Sequence, residues 1–406
     1  MDPPVKPEDD AVHSVVLPRR PGFMTGTHPR RAAVTRLRLA NFRSYAALDL
    51  AAGEGSVALV GPNGAGKTNI LEAISLLAPG RGLRRAPHGE FARVGGDGSW
   101  AVAAEVAGDD GTARLGTGTE PSQEGAGRRC RVDGAPVPGA GAFAAHLRLV
   151  WLTPDLDGLF RGSAGDRRRF LDRLVLAVDP EHAGRASGLE KALRSRNRLL
   201  EESGEPRWID AVERELAELA VAIAAARLDV ARRLAGLIAE GADPASPFPS
   251  ADIALDGTLE AELAHRPATE VEDAYRARLG RGRPRDRAAG RTLEGPHLSD
   301  LVVRHAAKDM PAEKCSTGEQ KALLVGLVLA HARLVARLDG RAPVALLDEI
   351  SAHLDPARRA ALYADLDALG AQVWLTGADP AAFAELGPRA TVFSVADGAV
   401  LRARAG

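Results

Sequence analysis

Gly61-Pro62-Asn63-Gly64-Ala65-Gly66-Lys67-Thr68 completes the pattern G-x-x-x-x-G-K-[ST]. It follows the apolar run Ser56–Val60 directly and precedes a helix-compatible stretch, Asn69–Ala78. The pattern commits this part of the chain to a strand, a tight loop and a helix. Glycines let backbone N–H groups close around a triphosphate, and the helix N-terminus adds its positive dipole end. In that arrangement Gly61 to Gly66 form the cradle, Lys67 reaches the β- and γ-phosphates, and the Thr68 hydroxyl ligates Mg²⁺. The chain is expected to bind a nucleoside triphosphate.

What the nucleotide drives is constrained by composition. A chain of 406 residues has room for two or three lobes and a substantial core. A formal charge of -1 argues against a uniformly basic surface, so a polyanion would be held by local patches. Cys130 and Cys315 have no metal-site spacing and make a disulfide framework improbable, which suits a reducing compartment. The longest apolar run, Ala322–Ala330, falls well short of the roughly 18–20 residues that span a bilayer. Charge and prolines precede any apolar stretch, unlike a signal peptide. A soluble, cytoplasmic protein without a membrane partner is expected.

Residues 1–32, rich in Pro, Asp and Arg without periodicity, read as a disordered extension. Val34, Leu37, Leu39 and Phe42 among polar residues predict an edge strand, followed by a second strand near Ala46–Leu50. Short β-like segments continue from about Ser99 to Val132, and His146–Thr153 reads as a buried strand. Helical patterns then take over at 167–178, 189–200 and 210–238. In the last, Val212, Leu216, Leu219 and Ile223 share a face that Val230, Leu234 and Leu237 continue. Between Arg276 and Arg291 seven arginines stand against one acid, Asp286. From Leu301 strands and helices alternate, as in a mainly parallel α/β sheet. The expected division is a core of 33–154 and 290–406, with 155–289 an inserted, mainly helical lobe carrying basic segments.

Val344–Leu347 is an apolar strand that ends in Asp348 and Glu349. Ligands of α/β sheets lie at the carboxyl ends of strands, so a metal-supporting carboxylate belongs here. Asp348 would support Mg²⁺, and Glu349 would polarise the water that attacks the γ-phosphate. Ser316-Thr317-Gly318-Glu319-Gln320 stands at the start of a strong helix pattern. Its N–H groups and hydroxyl could hold another phosphate, or Ser316 or Thr317 with Glu319 could simply cap the helix.

Together, the turn, the helix and the Asp348–Glu349 strand resemble the signature and second acidic motif of ABC-type ATPases. Ser351–Asp355 resembles the loop that crosses between subunits in that class. The ensemble is more specific: Leu39-Ala40-Asn41-Phe42-Arg43-Ser44-Tyr45, the phosphate loop, Thr153-Pro154-Asp155-Leu156, Gly162–Asp172, Gly295–Asp300 and the Ser316 turn. It resembles the RecF family, recombination mediators related to SMC-type ATPases, from about Val34 to the C-terminus. The resemblance implies an α/β fold: an ABC-type P-loop ATPase head with a mixed, largely parallel sheet and an inserted helical lobe. It implies ATP and Mg²⁺, slow DNA-stimulated hydrolysis, and an ATP-dependent homodimer. In that dimer, Ser316, Thr317, Gly318, Glu319, Gln320 and Asp355 of one copy complete the pocket at Gly61–Thr68 of the other. It also implies work on DNA with RecR and RecO to load RecA at gaps and stalled forks, and a part in SOS induction. Thr376-Gly377 departs from the pattern, standing where many ABC ATPases have a histidine, and no glutamine stands out for the metal-contacting role.

Phosphate contacts need exposed Lys and Arg. Candidates are Arg167, Arg168 and Arg169; Lys191, Arg194 and Arg198, whose spacing shares a helix face; and, from the family's placement of DNA across the upper groove, Arg43. Few aromatics, 4%, suit backbone binding better than base stacking. Two rival readings stand beside this one. A transporter's nucleotide-binding subunit would lack the inserted lobe, and a short SMC-like clamp would need far longer heptad arms.

Overall fold

The computed structural model describes residues 29–403 apart from 121–126, 244, 351–353, 382, 384–385, 387–389 and 397. Residues 1–28 of the expected extension, and Ser351, Ala352 and His353 of the crossing loop, lie outside the described residues. The chain opens with β1 (Ala32–Phe42), β2 (Tyr45–Ala51) and β3 (Ser56–Val60), and the phosphate loop then leads into α1 (Lys67–Ser75). Next come β4 (Trp100–Gly108), β5 (Gly111–Thr119), β6 (Arg129–Val132), β7 (Ala135–Val137) and β8 (Leu149–Leu152). Helices α2 (Ala164–Val178), α3 (His182–Glu201) and α4 (Pro206–Glu240) follow. After them stand β9 (Ala251–Asp256), α5 (Thr258–Leu263), α6 (Ala268–Ala289), β10 (Asp300–His305) and β11 (Met310–Pro311). The last part runs α7 (Thr317–Asp339), β12 (Val344–Leu347), α8 (Pro356–Ala368), β13 (Val373–Gly377), β14 (Ala390–Ala396) and β15 (Ala399–Arg402).

The central sheet has the order β15-β14-β3-β13-β12-β8 and is parallel except for the β14–β15 hairpin. Its strands read as continuous apolar runs because both faces are covered. Side chains sort by the two-residue period of a strand. Ala58, Val60, Val150, Leu152, Ala345, Leu347, Val373 and Leu375 face a cluster built with α2, α7, α8 and the C-terminal half of α4. Val57, Leu59, Leu149, Trp151, Val344, Leu346 and Trp374 face the other way, onto α1 and the antiparallel sheet β2-β1-β4-β5-β6-β7. α7 is buried almost all round, as its nearly unbroken apolar sequence requires.

Two sequence expectations about strands change. β1 is an interior strand, paired on both sides by β2 and β4, and not an edge. Its alternating polar residues mark one solvated face, which an interior antiparallel strand also shows. β10 does not join the parallel sheet; it pairs antiparallel with β9 and β11 in a separate three-stranded sheet. The arginine-rich stretch lies mostly within α6 and continues a few residues beyond it, and Pro284 sits inside that helix. Along α4 the buried seam includes Leu216, Ala220, Ile223, Arg227, Val230 and Leu234, while Val212, Leu219 and Leu237 are only partly covered. Alanines and paired charges complete the seam, so apolar size alone places it slightly off its true axis. α3, α4, α5 and α6 share a cluster of their own around Leu189, Leu216, Ile223, Leu259, Val271 and Tyr275.

His331, buried in the middle of α7, donates from Nε2 to the Leu174 carbonyl of α2 at 2.9 Å. Burial lowers its pKa from 6.5 to about 4, with Arg173 adding to the effect and the Leu174 bond opposing it. Between those values the unfolded chain takes up a proton that the folded chain does not, so stability falls as pH drops through this window. Denaturant titrations across it should show a loss of up to about 3 kcal/mol, at 1.36 kcal/mol per pK unit, much reduced in His331→Gln.

Candidate functional site at the carboxyl edge of the parallel sheet

The parallel register decides which side chains meet. Val60 lies beside Gly377 and Leu375 beside Leu347, so the carboxyl ends of β3, β13 and β12 lie close to one another. Gly61 leaves β3 with no room for a side chain: a Cβ there would stand 2.0 Å from the Val395 carbonyl oxygen of β14. Gly66, at φ 104, turns the loop into α1 in a conformation open to glycine, and its carbonyl accepts from the Tyr45 hydroxyl at 3.2 Å. Burial pushes the Tyr45 hydroxyl up to about 12, so it remains a donor. Pro62, Asn63 and Gly64 face solvent.

Lys67 is 3% exposed, and its ammonium donates to the Gly61 and Pro62 carbonyls at 2.7 and 2.8 Å. Burial lowers its pKa, while Glu349 and Asp348 work in the opposite direction. Thr68 Oγ1 donates to Asp348 Oδ1 at 2.9 Å and lies 3.2 Å from Oδ2. The structure therefore brings Lys67, Thr68, Asp348 and Glu349 to one edge. Thr376 stands with them: its hydroxyl donates to Asp348 Oδ1 at 2.7 Å and accepts from the Glu349 N–H at 2.9 Å. Sequence reasoning marked this residue only as a departure, because nothing local links it to Asp348. It is the pairing register of β13 with β12 that puts Thr376 beside the end of β12, and no sequence pattern carries that pairing. Among the described residues no group of three His, Cys, Asp or Glu forms a metal cage. The Thr68 hydroxyl and the Asp348 carboxylate, which meet here, are hard oxygen ligands of the kind Mg²⁺ takes together with nucleotide phosphates.

The Ser316 turn has a clear local role. Ser316 is the N-cap of α7 in a reciprocal capping box with Glu319, whose carboxylate accepts from the Ser316 N–H at 2.9 Å. Hydrogen bonds from Lys308 and Ser316 hold the Glu319 carboxyl down to about 2. Gln320 is buried and donates to the Cys315 carbonyl at 2.8 Å. Ser316, Thr317 and Gly318 remain exposed. Asp355 caps α8 by accepting from the Arg358 N–H at 2.9 Å. Among the described residues no hydrogen bond joins this turn or Asp355 to the phosphate loop of the same chain.

The basic candidates divide. Arg43 grips the fully buried Glu72 of α1 with two hydrogen bonds, at 2.9 and 2.8 Å, and lies over the Phe91 ring. Arg167 forms a fork on Asp300 at 2.8 and 2.6 Å, and Arg168 donates to the Ser299 carbonyl at 2.7 Å. These three are half-buried and their guanidinium groups already have partners within the chain, so each also braces the fold. Arg169 is exposed and paired with Asp166 one turn away. Lys191 and Arg198 are exposed with no ion pair among the described residues, and Arg194 lies 3.8 Å from Glu190. Arg196 of the same helix is fully buried between Glu213 and Asp286.

Residues 36–94 match the family described as AAA domain. The chain is 55% identical over 373 residues to the DNA replication and repair protein RecF of Mesorhizobium japonicum, covering 92% of this chain and 98% of that one. It is 53% identical over 375 residues to the protein of the same name from Rhizobium rhizogenes, covering 92% and 100%. The fold is similar to the solved structure of the recombination mediator protein RecF-ATPrS in the RecFOR pathway. That match has a TM-score of 0.80 at 21% identity and covers 93% of this chain and 100% of the other. An Smc head bound to the C-winged helix domain of ScpA matches at a TM-score of 0.52 and 17% identity, over 91% and 97%.

Gly61→Ala tests the fit of the loop against β14. Over-packing of this kind should cost about 1–3 kcal/mol and weaken nucleotide binding, read by thermal melting and by titration with a fluorescent nucleotide. Unchanged melting and binding would contradict the close approach.

Proposed function

The chain belongs to the RecF family of DNA replication and repair proteins, and on that premise we propose that it is a DNA-binding ATPase whose ATP state gates homodimerisation on DNA. The observation that carries this reading is a division within one chain. Lys67, Thr68, Asp348 and Glu349 converge at one edge, while Ser316, Thr317 and Gly318 face solvent and make no hydrogen bond to that edge. A second copy presenting its own Ser316 turn would complete the pocket. Each triphosphate would then touch both copies, so its binding free energy favours the closed form, as a switch requires.

Within the pocket Lys67 would exchange its two carbonyl partners for β- and γ-phosphate oxygens. Thr68 and Asp348 would hold Mg²⁺, Asp348 in part through water. Bound Mg²⁺ supplies charge neutralisation on the phosphates. Glu349 would accept the proton of the attacking water. Hydrolysis then serves as release, and a slow, DNA-stimulated rate fits that role. In the wider reading the dimer acts in the cytoplasm at gaps and stalled forks, with RecR and RecO, to help load RecA and induce SOS. The Smc-like head supports the superfamily placement, but no described helix is a long arm. No helix among the described residues is long and apolar enough to cross a membrane.

For DNA, the reading now rests on Lys191, Arg194 and Arg198 of α3, with Arg169 nearby in sequence on α2. Lys191→Glu should weaken DNA binding and lower the salt slope by about 1 per lost phosphate contact. Arg167→Gln should instead lower melting temperature and leave that slope unchanged.

Light scattering after size exclusion, with and without ATP and DNA, tests the switch. Lys67→Ala should abolish ATP binding, Ser316→Arg should block dimerisation alone, and Glu349→Gln should trap the dimer. The same oligomer in every variant, whatever the nucleotide, would sink the model.

A further inference from the structure

Thr376 stands out in the sequence only as a departure from the family pattern, yet its hydroxyl bonds both to the Asp348 carboxylate and to the Glu349 N–H. It lies on β13, 1% exposed, where the Leu375–Leu347 pairing sets it beside the end of β12. Its Oγ1 gives its proton to Asp348 Oδ1 at 2.7 Å and receives the Glu349 N–H at 2.9 Å. Glu349 needs such a hold. Its φ is 50, in the left-handed region that side chains other than glycine enter at a cost.

Among the described residues Asp348 has two hydroxyl donors, Thr68 and Thr376. Once the Thr68 oxygen faces a cation it can no longer serve Asp348 in the same way, and Thr376 becomes the hydroxyl that still orients the carboxylate. The same atom fixes the backbone from which the Glu349 side chain leaves.

We propose that Thr376 is a positioning residue that aims Asp348 toward Mg²⁺ and holds Glu349 in its left-handed conformation for the attacking water. The inference rests on the roles proposed above for those two acids. It requires a hydroxyl at this position and not the shape of threonine: valine keeps the shape without the donor, and serine keeps the donor without the methyl group.

The test uses the full chain as wild type, Thr376→Val and Thr376→Ser. Binding of a fluorescent, non-hydrolysable ATP analogue is measured across a Mg²⁺ titration, and ATP hydrolysis is measured in parallel. Groups that orient metal ligands typically carry about 10–100-fold in affinity or activity. Thr376→Val should therefore bind the analogue without Mg²⁺ as wild type does, lose about tenfold of the Mg²⁺ enhancement, and lose at least about tenfold in kcat with KM little changed. Thr376→Ser should restore both. Wild-type Mg²⁺ dependence and kcat in Thr376→Val would overturn the proposal, as would equal losses in the serine and valine variants. Should the valine variant fail to fold, Thr376→Ala against Thr376→Ser gives the same comparison of hydroxyl present and absent. A wild-type chain that binds the analogue but never hydrolyses ATP would refute the role given to Glu349, while the Mg²⁺ titration would still judge Thr376.

Discussion

The Asp348 carboxylate ties together two segments of the site that lie 280 residues apart in the chain, by accepting from Thr68 after the phosphate loop while Thr376 approaches from β13. It is only 6% exposed, so each of those hydrogen bonds offsets the desolvation of a buried charge. Removing either donor leaves part of the carboxylate unsatisfied in a place water reaches poorly, which costs more than a surface hydrogen bond. The arrangement is possible only because β3, β13 and β12 run parallel with their carboxyl ends close together. A one-residue slip of β12 would turn Asp348 to the opposite face and put Leu347 in its place.

That register is fixed by packing. Successive residues of β3, β12 and β13 enter different cores, one lined by α7 and the other by α1 and the antiparallel sheet. With both faces apolar, a slip would not expose greasy side chains, yet it would mismatch volumes such as Trp374 on one face and Leu375 on the other. The phosphate loop is braced from the antiparallel side as well. Tyr45 of β2 holds the Gly66 carbonyl, and Arg43 holds Glu72 one turn into α1. Burying a carboxylate such as Glu72 is costly unless it is paired, and Arg84 supplies a second contact at 3.2 Å.

Contiguous chemistry was readable from the sequence, and contacts between distant segments were not. The loop from Gly61 to Thr68 and the strand ending in Asp348 each carry their signal within a few residues, and both stand where strand and helix patterns predict. Ser316 was open between cap and phosphate holder; its cap is built, and its exposure leaves the second role for the proposal. The roles of Thr376, Tyr45 and Glu72 are not legible in the sequence, because they lie in partners that only the folded register supplies. The pairing of the arginines is hidden for a related reason. A run such as Arg167 and Arg168 looks like a solvated basic face until Asp300 and Ser299, more than a hundred residues on, close over it. Charge density along a chain says how many cations a segment has, not how many remain free.

Those paired arginines have a consequence for how the α3 surface and the nucleotide edge sit relative to each other. Arg167 and Arg168 of α2 hold Asp300 and Ser299, and Arg227 of α4 holds the Pro296 carbonyl at 2.6 Å and Asp172 of α2 in a fork. His182 at the start of α3 shares Asp172, at 2.8 Å. The segment 295–300 is thus clamped between the helices, and it runs straight into β10, the β10–β11 hairpin and the Ser316 turn. Lys321 of α7 adds a contact to Asp157 at 2.8 Å, beyond β8. These are short charge-assisted bonds among partly or fully buried groups, in which loss of one partner strands the other. The helix that presents Lys191 and Arg198 and the turn that presents Ser316 are therefore joined through a continuous bonded framework rather than by a free linker. A polyanion on α3 and a second copy at Ser316 would meet one braced body, so the orientation of one surface constrains the orientation of the other.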